Sequence, residues 1–426
     1  MYVTRPLSRY LADYTAAAEP PPDGPGSGFL VVVDETGETA RTRFWGLCVD
    51  RRMRRLPFPQ NRLLGLRPNT NPDLLESSAM AVDFASEVVG VATQIIAGIG
   101  SGRAPASRTP KLPEYAMLVP VVGQPLSSGR YYVVKAEGKH RGKVSACSKE
   151  EDRSSSWFGS WVNDVKPRAF HRSDVYQQVW VQPLLSDGFV AHAVATDGIP
   201  PDYLRKKGWT VNTTMSPKYD LTDAQGMDSA LRRRMPDFQS LTVAERRSPA
   251  VLVGRWYVPF MFVKADGYRS LKDQFRRCTF YEMTMDQIWV QISSCDNPCG
   301  EPGNVKVSAT VPRPLAQLDG TSMVQEGWPQ AGGGAVWFRP AAPAATAAAV
   351  ALDTVVWERM MWELERGGWV ANGDQERIER VERRDCHWHK FACYVLLERF
   401  QLKRMDGSLA LTCEFRHTDK IKTKWL

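Results

Sequence analysis

The stretch CYVLLERFQLKRMDGSLALTCEF, Cys393–Phe415, decides how the chain is read. Two apolar-rich runs flank Asp406-Gly407, a dipeptide that favours a tight hairpin turn because glycine accepts a positive φ. A two-residue turn there fixes the register: Leu402 opposite Leu411, Phe400 opposite Cys413 and Arg399 opposite Glu414. One face is then apolar, and the other carries an Arg399–Glu414 ion pair. Two positions resist this register, Leu409 opposite Arg404 and Phe415 opposite Glu398. Both are expected near the hairpin ends, where a bulge or fraying absorbs them.

The same rhythm recurs upstream. Phe29 to Val33 and Arg41 to Trp45 read as a hairpin, Arg130 to Val134 and Lys143 to Cys147 as a second, and GRWYVPFMFVKADGYRS, Gly254–Ser270, as a third. The intervals are wide and unequal, which excludes a solenoid of fixed period. Helical signals are fewer. Val356, Trp357, Met360, Met361 and Leu364 form one apolar stripe between a cap at Asp353 and Gly367-Gly368, as expected of a core-packing helix. Apolar residues between Leu63 and Ser107 also recur at helical spacing, while Gly100 to Pro110 has loop composition. Around 331–352 an alanine-rich insert reads as a loop whose alanines from Ala344 onward extend the following helix backwards.

The expected fold is therefore α+β: predominantly antiparallel β-sheets with a few amphipathic helices, arranged as two similar β-rich lobes over 1–245 and 246–426. Composition agrees with a packed protein. Of 426 residues 43% are hydrophobic, and 14 Trp, 16 Phe and 13 Tyr need a dry interior. The 29 prolines and 32 glycines point to many short elements.

A formal charge of +8 is small for this length. Its basic clusters, Arg51 to Arg55, Arg205-Lys206-Lys207 and Arg232-Arg233-Arg234, are scattered and read as solvated surface. The most apolar long stretch, Met80 to Gly100, contains Asp83 and Glu87, so no transmembrane insertion is expected. Eight cysteines in no stapled pattern, and no secretion signal, suggest a reducing compartment, cytoplasmic with the nucleus also open.

Two constellations carry chemistry. Cys295 and Cys299 in SCDNPCGEPG, with His387 and His389 in CHWHKFAC, offer four donors of the kind a structural zinc takes. On a strand His387 and His389 share one face and Cys386 the other, so the alternative is unligated thiols and surface histidines, with no cofactor. Arg130, His140, Arg141 and Lys143 make a basic hairpin that suits phosphate or an anionic lipid. No catalytic residue is assigned: there is no nucleophile elbow, and Gly138 to Val144 lacks the Ser or Thr of a phosphate-binding loop. Nucleic acid is not an expected partner, since no zinc-finger, basic-zipper or RNA-binding signature is present.

The segments MYVTRPLS, LPFPQN, QPLSSGRYYVV, GKHRGKVSACSKEED, DGIPPDYLRKKGW, GRWYVPFMFVK and CYVLLERFQLKRMDGSLALTCEFRHTDKIKTKW, in this order from Met1 to Trp425, resemble a plant-specific family known as domain of unknown function 1262. That resemblance implies a plant source and supplies no catalytic residues. Some members carry an insecticidal crystal toxin label, but toxicity is not expected, since the sequence shows neither a secretion signal nor a pore-forming apolar segment. The functional expectation is an intracellular interaction protein with a protein partner, connected with stress or defence. The alternatives are an enzyme with a site assembled from distant loops, and a module for anionic membranes or phosphate ligands.

Overall fold

A computed structural model of the chain describes residues 1–34, 41–43, 48–68, 113–156, 159–185, 188–214, 218–265, 267–326, 334–342 and 348–426. In it Leu402 pairs with Leu411, Phe400 with Cys413 and Arg399 with Glu414, between antiparallel strands Lys390–Arg404 and Leu409–Trp425. A register shift next to Leu402 sets Leu409 opposite Lys403, so a bulge absorbs the first mismatch. The second is not at an end. Both strands run on to Phe391 and Trp425, which leaves Glu398 opposite Phe415 in mid-strand.

The expected Arg399–Glu414 ion pair does not form. A third long strand, Phe280–Asp296, lies on the other side, and Arg399 reaches Asp286 directly opposite at 3.1 Å. Glu414 instead meets Arg416, two residues along on the same face, at 2.8 Å.

These three strands are the middle of a 12-stranded sheet. Strand Val251–Pro259, near one end of it, passes through a single 3-10 turn, Phe260–Phe262, into Val263–Ala265 at the other end. Three residues can join the two ends only if the sheet curls on itself. The curl encloses the main core, where Tyr2, Trp256, Phe260, Phe338 and Phe400 are buried.

A 7-stranded sheet packs beside it. At its centre, strands Glu114–Pro120 and Arg130–Lys135 are covered on both faces. Met117, Val119, Tyr132 and Val134 join the main core, while Ala116, Leu118, Tyr131 and Val133 join a second cluster with Phe58, Phe189 and Trp209. That double burial is why both strands read as unbroken apolar runs.

Several expectations are corrected. The α+β class gives way to a mainly β fold. Among the described residues, the helices Leu7–Ala12, Asp202–Arg205, Ser229–Arg234 and Leu271–Arg277 are two turns or fewer, and only Thr354–Arg366 is longer. The two sheets are unequal rather than similar lobes. The larger one also takes strands Tyr2–Pro6, Gly28–Val32 and Gly226–Met227 alongside strands that follow residue 246.

The first hairpin is replaced by a parallel pair, Gly28–Val32 beside Tyr2–Pro6. Its free edge is met by side chains: Gln60 Oε1 accepts from the Val31 amide at 2.6 Å and Asn61 Oδ1 from the Val33 amide at 3.0 Å. Local alternation cannot reveal a parallel partner so far along the chain. Residues 69–112, most of the helix expected between Leu63 and Ser107, lie outside the described residues, and Leu64–Arg67 is a strand. Asp353 caps the 354–366 helix by accepting from the Val355 amide at 3.0 Å, but Val350–Asp353 before it is a strand and not a backward helical extension.

Candidate functional site

One cleft of about 630 Å³ opens beside the middle of the large sheet. Trp256, Gln287 and Glu398, from three adjacent strands, form its floor. The 229–234 helix brings Arg232 and Arg233, the 354–366 helix brings Arg359, Trp362, Glu363 and Arg366, and the N-terminal segment closes it with Arg5 and Phe29.

Local sequence explains these placements. Asp228 accepts from the amides of Ala230 and Leu231 at 3.1 and 2.8 Å, which starts the short helix and aims Arg232 inward. That helix ends at Met235, a cleft residue at φ 58, ψ 164. Such a backbone is nearly confined to glycine and costs a side-chain-bearing residue about 1–3 kcal/mol. On the longer helix, Val356, Met360 and Leu364 repeat at i+4 and face the core, while Arg359 and Glu363, also at i+4, stand one position over and face the cleft.

The mid-strand mismatch is the centre of the site. Glu398 and His417 are both fully buried. Arg232 grips Glu398 with two hydrogen bonds, Nε to Oε1 at 2.7 Å and Nη2 to Oε2 at 2.6 Å, and a third guanidinium nitrogen donates to the Glu363 carbonyl at 2.7 Å. Gln287, opposite Glu398 in the register, donates Nε2 to Oε1 at 2.9 Å, and His417 Nε2 lies 2.9 Å from Oε2. Lys420 Nζ is 3.4 Å from His417 Nδ1, which fits a ring with its hydrogen on Nε2. Burial alone would raise the Glu398 carboxyl, but the His417 and Arg232 hydrogen bonds and the Arg232 charge bring it down to about 2. Beside it Arg359 binds Glu363 at 2.5 Å, donates to Ser27 Oγ and the Asp23 carbonyl, and lies 4.7 Å over the Trp362 ring.

The Glu398 carboxylate is fully satisfied, yet four buried polar atoms of cleft residues have no hydrogen-bond partner among the described residues: Arg5 Nε, Trp256 Nε1, Gln287 Oε1 and Arg359 Nε. Trp256 is 1% exposed, Gln287 2% and Arg359 3%. A buried unpaired donor or acceptor costs about 1–3 kcal/mol, a local cost carried in the packed layer behind the cleft wall.

The residues singled out in sequence fall elsewhere. Cys295, Cys299, His387 and His389 do come to one corner. The Asn297 amide donates to the His389 carbonyl at 2.8 Å and the Trp388 amide to the Gly300 carbonyl at 3.3 Å. Their ring nitrogens are directed at backbone, however. His387 Nδ1 lies 2.7 Å from the Gly300 carbonyl and His389 Nδ1 3.4 Å from the Asn297 carbonyl. Among the described residues no three His, Cys, Asp or Glu side chains group as metal donors. Burial raises the Cys295 thiol, takes Cys393 to about 11 and Cys147 to about 12, the opposite of thiolate activation.

Arg130 begins the strand that His140, Arg141 and Lys143 follow, so a strand length of roughly 17 Å separates it from them. Arg141 Nε donates to the Ala136 carbonyl at 2.8 Å. His140 is held below its ordinary value by desolvation and by Lys139, Lys143, Lys135 and Lys166.

Sequence reasoning missed Arg232, Arg359, Glu363, Gln287, Glu398 and Trp256. Signals existed for two. The Arg232-Arg233-Arg234 run read as solvated surface, but Arg232 is buried while Arg233 and Arg234 are exposed. Glu398 showed itself as a charge facing Phe415 in an apolar register. Gln287, Trp256 and the Arg359–Glu363 pair gave no local sign.

Comparisons with known proteins add a family of unknown function. Residues 23–158 match the family described as Protein of unknown function (DUF1262). The match covers the N-terminal part of the cleft wall, including Asp23 and Phe29, and much of the smaller sheet. No curated protein matches the chain. Among solved structures it is similar to the crystal structure of Cry35Ab1, at 10% identity and a TM-score of 0.42, over 86% of this chain and 90% of that one. No helix among the described residues is long and apolar enough to cross a membrane.

Proposed function

We propose that this chain is a binding protein whose ligand is held in the central cleft, with no covalent step. One observation carries the reading: a cavity of about 630 Å³ opens beside a rigid, self-satisfied ion network, and its lining includes Arg5 and Arg233, which have no carboxylate partner among the described ion pairs. A network already closed by Arg232, Gln287 and His417 leaves the Glu398 carboxylate no free lone pair facing a substrate proton, so its role is to hold the floor in place. The expected interaction role is kept, with ligand recognition in the cleft as its physical basis.

Ser229 lines the cleft from an exposed position, so Ser229→Trp obstructs it without touching the network. A small-molecule thermal-shift screen on both proteins tests the reading. Compounds that stabilise the native chain and lose that effect in the variant support it, and stabilisers that act equally on both sink it.

A second reading is favoured by the lysines around His140. We propose the 138–143 turn as a weak site for anionic surfaces, expected to bind acidic vesicles at low salt and release them as salt rises. Retention at high salt would reject it.

A further inference from the structure

We infer that a second, smaller slot, where the two sheets meet, takes a small amphipathic anion: a short acyl chain or single ring inside, with its carboxylate at the mouth. The inference rests on the basic character of the 138–143 turn read above, and goes beyond it because the ligand is one molecule rather than a surface. The slot holds about 200 Å³. That is below the roughly 300–1,000 Å³ of a drug-sized site and above the roughly 150 Å³ that takes a benzene ring, so one ring or a short chain fits.

Its walls are apolar and come from both sides of the joint. Gly142, Ala169 and Phe170 belong to the smaller sheet and its loops, and Met261, Val263 and Leu271 to the larger sheet and the 271–277 helix. The turn lies so close to that helix that a β-carbon at Gly142, whose φ is +81, would come within 2.9 Å of the Leu271 carbonyl oxygen. The Phe170 ring stands edge-on to Tyr132 at 5.0 Å and Phe262 at 4.8 Å, which fixes it as a wall. Phe170, Tyr268 and Leu271 are half-buried and open to the slot, while Met261 and Val263 are buried and form its floor. Gln274 Nε2 is committed to the Val263 carbonyl at 2.8 Å and the Tyr281 hydroxyl at 3.0 Å. Among the described residues no lining side chain holds a buried unpaired nitrogen or oxygen, so an apolar occupant strands no polar group.

The mouth is cationic. Lys264 lines it from an exposed position, and Lys143 follows Gly142 in the chain. Lys139, Lys143 and Lys166 gather close enough to act on His140. These lysines and Lys264 form no ion pair among the described residues. Asp273, on the neighbouring helix, is taken by Arg276 and Arg277 at 2.9 and 3.1 Å. Unpaired ammonium groups around an apolar slot favour an anionic end over a cationic one.

Low-salt calorimetric titration with octanoate and phenylacetate, with their amine counterparts octylammonium and phenethylammonium, and with acetate tests this, alongside co-sedimentation with acidic vesicles. Ala169 lines the slot from an exposed position, so Ala169→Trp blocks it without entering the core. The expected result is that at least one of the two larger acids binds, that acetate does not, and that the matching amine binds about fivefold more weakly or not at all. Ala169→Trp should weaken the acid about tenfold or more while keeping the native circular dichroism. Lys143→Gln combined with Lys264→Gln should narrow the gap between acid and amine.

The two acids also separate chain from ring. An amine binding as tightly as its acid, or full acid affinity in Ala169→Trp, overturns the proposal, as does an acid–amine gap that the double lysine variant leaves unchanged. If neither acid binds but acidic vesicles carry the chain down at low salt, the slot falls and the reading of the turn stands. If an acid binds as expected and vesicles carry nothing down, the surface reading falls and the slot stands. Binding of neither acids nor vesicles sinks both.

Discussion

The central cleft and the cysteine–histidine corner lie along the same two long strands, Phe280–Asp296 and Lys390–Arg404, and they teach opposite lessons. At the corner the reactive residue types are neighbours in sequence, His387 and His389 beside Cys386, and they meet Cys295 and Cys299 in space. Yet the described ring contacts go to backbone carbonyls. At the cleft floor Arg232, Gln287 and His417 come from three separate segments, and all three are committed to one buried carboxylate, Glu398, on a fourth. Crowding in sequence marks residue types. Convergence in a low-dielectric interior is what creates large interaction energies.

The largest effect should come from breaking the cleft network. Arg232→Ala leaves Glu398 buried without its cation, and the expected loss is about 3–5 kcal/mol of unfolding free energy in a denaturant titration. A loss no larger than a surface substitution would erase the contrast between the two regions.

Acid should act next, at the same carboxylate. Because Glu398 is held below its ordinary value of 4.5, its stabilisation is complete above that pH and drains as pH falls toward about 2. A depression of that size corresponds to on the order of 3 kcal/mol. Glu398→Gln should flatten the acid limb of a stability-against-pH curve, and an unchanged limb would locate the acid sensitivity elsewhere.

Loosening the helix that carries Arg359 and Glu363 should cost less. Asp353→Ala removes its cap, worth about 1 kcal/mol by thermal unfolding. The smallest effects are expected at the corner. His389→Ala should stay within about 0.5 kcal/mol, and a stoichiometric addition of zinc should leave the unfolding temperature unmoved. A zinc-dependent rise abolished by His387→Ala and Cys299→Ser together would give the corner the common task that its ring contacts do not.

How much of this was legible in the sequence varied with range. The Cys393–Phe415 register could be worked out because a two-residue turn fixes every later pairing, and the Asp353 cap could be read because its signal is local. The Arg399–Glu414 pair failed because a central strand has two neighbours, and sequence supplied only one of them. The parallel pairing of Tyr2–Pro6 with Gly28–Val32 leaves no turn to find. Glu398 was the instructive case. Its conflict with Phe415 was real, and a local rule broken in mid-strand marked a place where the interior holds a charge.

The curl of the large sheet has a consequence for how the chain is made. Tyr2 lies against Tyr257, and the turn at Phe260–Phe262 ties one sheet end to the other. At translation speeds of about 5–20 residues per second, the first strands leave the ribosome on the order of tens of seconds before that partner exists. Until then the Tyr2–Pro6 and Gly28–Val32 pair lacks the Val251–Pro259 strand that continues its sheet. Such long-range closure makes for slow refolding.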